Sequence, residues 1–172
     1  MDTKLKLFLD AVVTRVLPDE GVYPFFNINN NLFSIKNNKV WKHFAGKYNT
    51  FYGSFKPYSI TFIANSNPTI DKIFNTVEFR SDSWENGTLL NETFDTLDVW
   101  NEYQQANSCL EFKRNIPSNL KRKFRIWRAN IPRDSSNNRD RIRNTWAYIK
   151  LSMNNSNTWK TEFHDINISY FM

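Results

Sequence analysis

The residues best suited to metal or nucleophilic chemistry are few and scattered: His43, His164 and the single Cys109. A zinc or other transition-metal site gathers three or four imidazole, thiolate or carboxylate ligands. Neither histidine has a second imidazole or a thiol near it in sequence, so no metal and no cofactor is expected. A serine or cysteine nucleophile needs a positioned base and a strained turn of the Gly-X-Ser-X-Gly type, and no such frame is present. With glycine only at Gly21, Gly46, Gly53 and Gly87, no phosphate-cradling loop is present either. Paired carboxylates are the remaining catalytic option, because glycosidases draw acid and base from distant strands. Asp95 with Asp98, or Glu92 with Glu102, would be the pairs to enlist. Nothing apolar surrounds them in sequence to raise the pKa of one member, so a solvated acidic face is the simpler reading and no enzyme is expected.

What stands out instead is a reversal of charge. Residues 71–111 hold nine acids against Lys72 and Arg80, a local balance of −7. Residues 113–143 then hold eleven bases against Asp134 and Asp140, a balance of +9, and eight of those bases are arginine. Arginine is favoured where a planar, bidentate hold on carboxylates is wanted. Opposed blocks of similar size can pair subunit to subunit or neutralise each other inside one fold. The interface residues expected on the basic side are Arg125, Arg128, Arg133, Arg139, Arg141 and Arg143, and on the acidic side Asp95, Asp98 and Glu102. Basic residues interleaved with Phe124, Trp127 and Trp146 also suit a groove that attracts phosphates and stacks bases, so transient contact with DNA is a further expectation.

The elements that must position these residues read as strands. Ile60, Phe62 and Ala64 alternate with polar neighbours, and Ile73, Val77 and Phe79 are expected on one face with Thr76, Glu78 and Arg80 on the other. Further strands are expected at 97–100, 124–128, 146–151 and 162–170, the last with its apolar face on the even numbers His164, Ile166, Ile168 and Tyr170. Asn86-Gly87 has the residues of a type I′ hairpin turn, whose two central positions both need positive φ. Residues 154–157 read as a hairpin loop between the last two strands, and residues 18–31 as a connection anchored by aromatics. Leu5, Phe8, Leu9, Val12, Val13 and Val16 recur at helical spacing before Pro18, which permits a short N-terminal helix over 1–17. Its apolar run is far below the ~20 residues of a membrane span, and it lacks a cleavage site for export. The expected organisation is an N-terminal segment, 1–17, and one β-sandwich-like domain, 18–172. The expected fold is all-β, an antiparallel two-sheet sandwich of jelly-roll character. The aromatic share of 16% suits packing on pleated surfaces. Trp84, Trp100, Trp127, Trp146 and Trp159 also leave room for a second class of function, a carbohydrate-binding module with flat ring platforms.

Four runs carry a family likeness: SITFIANSNPTIDKIFNTVEFRSD at 59–82, TFDTLDVWNEYQ at 93–104, FRIWRANIPRD at 124–134 and RDRIRNTWAYIKL at 139–151. They resemble the large tail component of crAss-like bacteriophages described as a muzzle or stabilization protein. Members of that family are much longer, so the resemblance implies that this chain corresponds to a C-terminal part. It further implies a structural role in the virion tail, assembled in the host cytoplasm, as one of many copies around the channel through which DNA leaves. The partners it implies are further copies of the chain and other tail proteins. It carries over no active-site residue.

Overall fold

The computed structural model describes residues 24–112, 118–135, 139–154 and 158–172. The expected N-terminal helix lies outside them. Among the described residues there are fifteen strands and no helix, so the all-β, antiparallel expectation holds. Contacts divide the chain into two compact units, one built largely from residues 24–56 and one from residues 57–172.

The first unit is a meander of β1 (Phe25–Ile28), β2 (Asn31–Lys36) and β3 (Lys39–Lys42), with a small hairpin of β4 (Thr50–Phe51) and β5 (Ser54–Phe55). Its turns are dictated by local chemistry. Asn29 and Asn30 have φ of 48° and 61°, and Asn37 and Asn38 have 52° and 57°. Asparagine tolerates this left-handed region far better than branched residues do, so each Asn-Asn pair makes a tight reversal. Residues 18–31, expected as a connection, thus include a strand and a turn. Tyr52 and Gly53 close the second hairpin at φ 50° and 79°. Gly53 lies under the Trp41 ring, where an added Cβ would come within 3.1 Å of Cη2.

The second unit is a sandwich. One sheet has the order β10 (Gln105–Cys109), β9 (Thr96–Trp100), β14 (Ala147–Met153), β6 (Tyr58–Ala64). The other centres on the long β7 (Lys72–Glu85). Along one edge of β7 pair β13 (Arg143–Asn144), β12 (Ile126–Asn130) and β8 (Thr88–Leu90), with β11 (Leu120–Lys123) outside β12; β15 (Trp159–Phe171) takes the other edge. Every pairing is antiparallel. Strict alternation in β14, from Ala147 to Met153, puts Ala147, Ile149, Leu151 and Met153 in the core and Tyr148, Lys150 and Ser152 outside. Leu97, Val99, Val77, Phe79, Trp127 and Ile142 complete the dry layer. Phe94 joins the two sheets, with ring centroids 5.7 Å from Tyr58, 5.4 Å from Phe79 and 6.0 Å from Phe163. Burial there pushes the Tyr58 hydroxyl up to about 12.

Two irregularities reset the alternation. Opposite β15, Ser169 pairs with Thr76 and Tyr170 with Phe74, so Asn75 is an extra residue in β7. Phe74 consequently points inward and Ile73 does not share the face of Val77, while Thr76 is buried alongside it. In β15 itself, Phe163 pairs with Ser81 and Asp165 with Arg80, leaving His164 as the extra residue. Phe163 therefore turns to the core with Phe94, and the even-numbered apolar face expected for residues 162–170 is broken at this bulge. β14 and β15 belong to different sheets, so the link expected as a hairpin loop at 154–157 joins two layers of the sandwich. The strand expected at 124–128 begins at Ile126, because Phe124 has φ 56° and forms the β11–β12 turn with Arg125. Asn86 and Gly87, at 50° and 81°, close β7 to β8 as expected.

Candidate functional site

The bulge at His164 builds the most organised polar centre of the sandwich. It aims the imidazole Nε2 at Oδ2 of Asp82, 2.9 Å away, and Arg125 Nη2 donates to the same oxygen from the β11–β12 turn. Asp82 keeps only 2% of its side-chain surface, whereas Arg125 and His164 keep 68% and 36%. Burial alone would push the Asp82 carboxyl up; the hydrogen bonds from Arg125 and His164, with their charges, outweigh it and hold the carboxyl below the usual carboxylate range. The centre clamps the hairpin to β7 and β15. Arg122 adds a second clamp: Nη1 donates to Asn91 Oδ1 and the guanidinium lies 4.6 Å from the Trp127 ring centroid.

The opposed charge blocks meet on the outer face of the same sheet. Arg128 and Glu78 are register partners, with Nη1 and Oε1 3.4 Å apart. Two residues further along β7, Arg80 Nε donates to both oxygens of Asp165, which lies outside both blocks, at 2.9 Å. Two of the six expected basic interface residues, Arg125 and Arg128, are therefore engaged with carboxylates of their own subunit.

The other four gather at one end of the sandwich, on the connection between β12 and β13 and on β13 itself. Arg133, Arg139, Arg141 and Arg143 are all exposed, with no carboxylate partner among the described residues. The backbones of Arg141 and Arg143 are fixed by the β9–β10 turn. Gln104 Nε2 donates to the Arg141 carbonyl at 3.1 Å, and its Oε1 accepts the Arg143 amide at 2.7 Å. Asn101 Nδ2 donates to the Arg143 carbonyl at 3.2 Å. Arg141 Nη1 reaches Asn75 Oδ1 at 3.3 Å, and Arg133 Nη1 reaches the Arg139 carbonyl at 3.4 Å. Of the expected acids, Asp95 accepts the Asn154 amide at 2.8 Å, and Asp98 lies 4.0 Å from its register partner Lys150. Glu102 is exposed in the β9–β10 turn and has no cationic partner among the described residues.

Aromatic side chains line the outer face of the four-stranded sheet. Trp100 and Tyr148, register partners on β9 and β14, stack with centroids 5.1 Å apart and planes at 22°. Trp146 meets Tyr148 edge-on at 5.2 Å. Trp100 and Tyr148, this close and this parallel, turn one face toward each other, and both stay half-buried along a ridge on the sheet surface. Trp127 is fully inside the core.

His43, isolated in sequence, belongs to a network in the first unit. The Ser34 hydroxyl lies 2.8 Å from His43 Nε2 and 2.9 Å from the Tyr52 hydroxyl. Ser34 has no exposed surface, so this Ser-His pair satisfies buried polar groups and offers no nucleophile to a substrate. Among the described residues no group of three or more His, Cys, Asp and Glu converges to hold a metal ion. The Asp82–His164 contact was missed by sequence reasoning. Its one signal is the step of three between the apolar Phe163 and Ile166 in an otherwise two-residue rhythm.

Taken with its fold, the chain offers surfaces for contact: a clamped basic hairpin, an arginine-rich end and an aromatic ridge flanked by carboxylates. The model of the Crassvirus muzzle protein C-terminal domain matches residues 46–134, just over half of the chain, and the chain belongs to that family. A curated relative, the Muzzle protein of Bacteroides phage crAss001, is 59% identical over 159 residues, which is 92% of this chain and 12% of that protein. The chain thus spans a small part of the relative's length.

Proposed function

We propose that the chain is a structural component of a bacteriophage tail, a repeated subunit around the DNA exit channel that performs no catalysis. The observation that carries this reading is the 59% identity, across nearly the whole chain, to a phage protein named Muzzle protein. The charge layout supports it. Arg133, Arg139, Arg141 and Arg143 are exposed and have no carboxylate partner among the described residues, which suits register-setting contacts with carboxylates of a neighbour. The partners are other copies of the chain and other tail proteins, and the same arginines can meet DNA phosphates transiently. The assembly takes place in the host cytoplasm and the site of action is the virion tail.

Antibodies raised against this chain should decorate the tail end of intact particles in electron micrographs, and decoration confined to the head, or none, would overturn the reading. A carbohydrate-binding module finds less support, because sugar rings need open, coplanar aromatic faces and Trp100 and Tyr148 turn theirs to each other.

A further inference from the structure

Phe124 is in the wrong place for a residue that serves only its own fold. It stands at the tip of the β11–β12 hairpin with 88% of its surface exposed and φ at 56°, a backbone region that bulky side chains adopt only under strain. No aromatic ring among the described residues touches it. The strain persists because the hairpin is held from both sides, by Arg125 on Asp82 and by Arg122 on Asn91 and Trp127. Beside the tip, Lys121, Lys123 and Ile126 share the outward face of the hairpin, since their alternates Leu120 and Trp127 point into the core. Neither lysine has a carboxylate partner among the described residues. The result is an exposed apolar knob at the tip, with these two cations behind it on β11.

A receptor of matching chemistry exists on the same chain, but on the opposite layer. Ile63, 55% exposed on β6, extends the row made by Trp100 and Tyr148 across the outer face of the four-stranded sheet. Asp98 lies in the adjacent row, 4.0 Å from Lys150, and Glu102, with no cationic partner among the described residues, follows Trp100 by two residues, so a carboxylate stands on either side of this apolar strip. The hairpin belongs to the other sheet, and the strip faces away from it. One copy cannot bring the two together.

We propose that Phe124 anchors the hairpin of one copy on the Trp100–Tyr148 strip of the next, with Lys121 and Lys123 set against Asp98 and Glu102. The contact is heterologous, so repetition closes a ring or extends a filament. This rests on the reading of the chain as a repeated subunit, and it names the anchor and its seat. An aromatic knob flanked by charges has the composition of an interface hot spot, and its preorganisation removes the entropy cost of ordering it on contact.

The test uses the full-length protein in assembled particles, with Phe124 replaced by the photo-reactive p-benzoylphenylalanine. Illumination should give a cross-link between two copies, mapped by mass spectrometry to residues 96–102 or 146–150. A link to a different virion protein, to another stretch of the polypeptide, or no link at all in particles that contain the protein overturns the anchor while leaving the tail reading intact. Absence of the protein from particles overturns both. Phe124→Gly separates assembly from folding. Glycine relieves the positive φ, so the variant should melt no lower than wild type while losing roughly tenfold or more in self-association, the size expected of a hot-spot anchor. A variant that destabilises the fold, or that assembles as wild type does, contradicts the proposal.

Discussion

Replacing Asp82 with asparagine tests whether the buried carboxylate, and not merely its shape, holds the β11–β12 hairpin. The side chain is nearly isosteric and keeps one oxygen, but it removes the charge that Arg125 and His164 address. Its amide also puts a donor where two donors already converge. The Arg125 bond is discounted because that guanidinium is 68% exposed, which places it with surface pairs at about 0.5 kcal/mol. The His164 bond, with one partner buried and the other about one-third exposed, is given about 1–1.5 kcal/mol. The expected loss is therefore about 1.5–2 kcal/mol at pH 7, or a fall in melting temperature of roughly 3–8 °C for a chain of this length.

The pH dependence supplies the sharper check. Asp82 is held below its ordinary pKa, so the folded state resists protonation and the carboxylate's stabilisation is present above ~4, the unfolded value. It is lost as pH falls through the lower folded-state value. The gap between wild type and Asp82→Asn, followed by urea unfolding, should be full at pH 7 and shrink steadily below pH ~4. A gap that stays constant from neutral to acid pH, or no gap at neutral pH, would refute the electrostatic account.

Two further outcomes are expected. Trp127→Ala empties a site that is 1% exposed between Phe79, Phe112 and the Arg122 guanidinium, and should cost about 3–5 kcal/mol in urea unfolding; a loss under ~1 kcal/mol would show that the core there is not close-packed. Gly53→Ala meets both a φ of +79° and the Trp41 ring at 3.1 Å, so it should destabilise the first unit by about 1–2 kcal/mol, read from tryptophan fluorescence on titration with denaturant.

Much of the sandwich was legible in the chain. The two-residue rhythm of Ile60, Phe62 and Ala64, and that of residues 147–153, marks strands with one dry face, because a pleated backbone offers side chains only two directions. Asn86-Gly87 announced its turn for an equally local reason, the ease with which both residues take positive φ. The charge reversal between residues 71–111 and 113–143 was plain as well. The likeness in the strand runs pointed to the family to which the chain belongs.

What the chain alone left open was every feature that depends on register between distant strands. A single extra residue, Asn75 in β7 or His164 in β15, shifts all later side chains by one face, and the pairing that reveals it lies up to about ninety residues away in sequence. That register decides that Arg125 and Arg128 meet Asp82 and Glu78 within one subunit, while Arg133, Arg139, Arg141 and Arg143 stay clear of carboxylates among the described residues. It also turns Phe124 from a strand residue into an exposed tip. Local preference sets which segments become strands and turns; only the folded sandwich sets which charges are neutralised within the chain and which stay exposed.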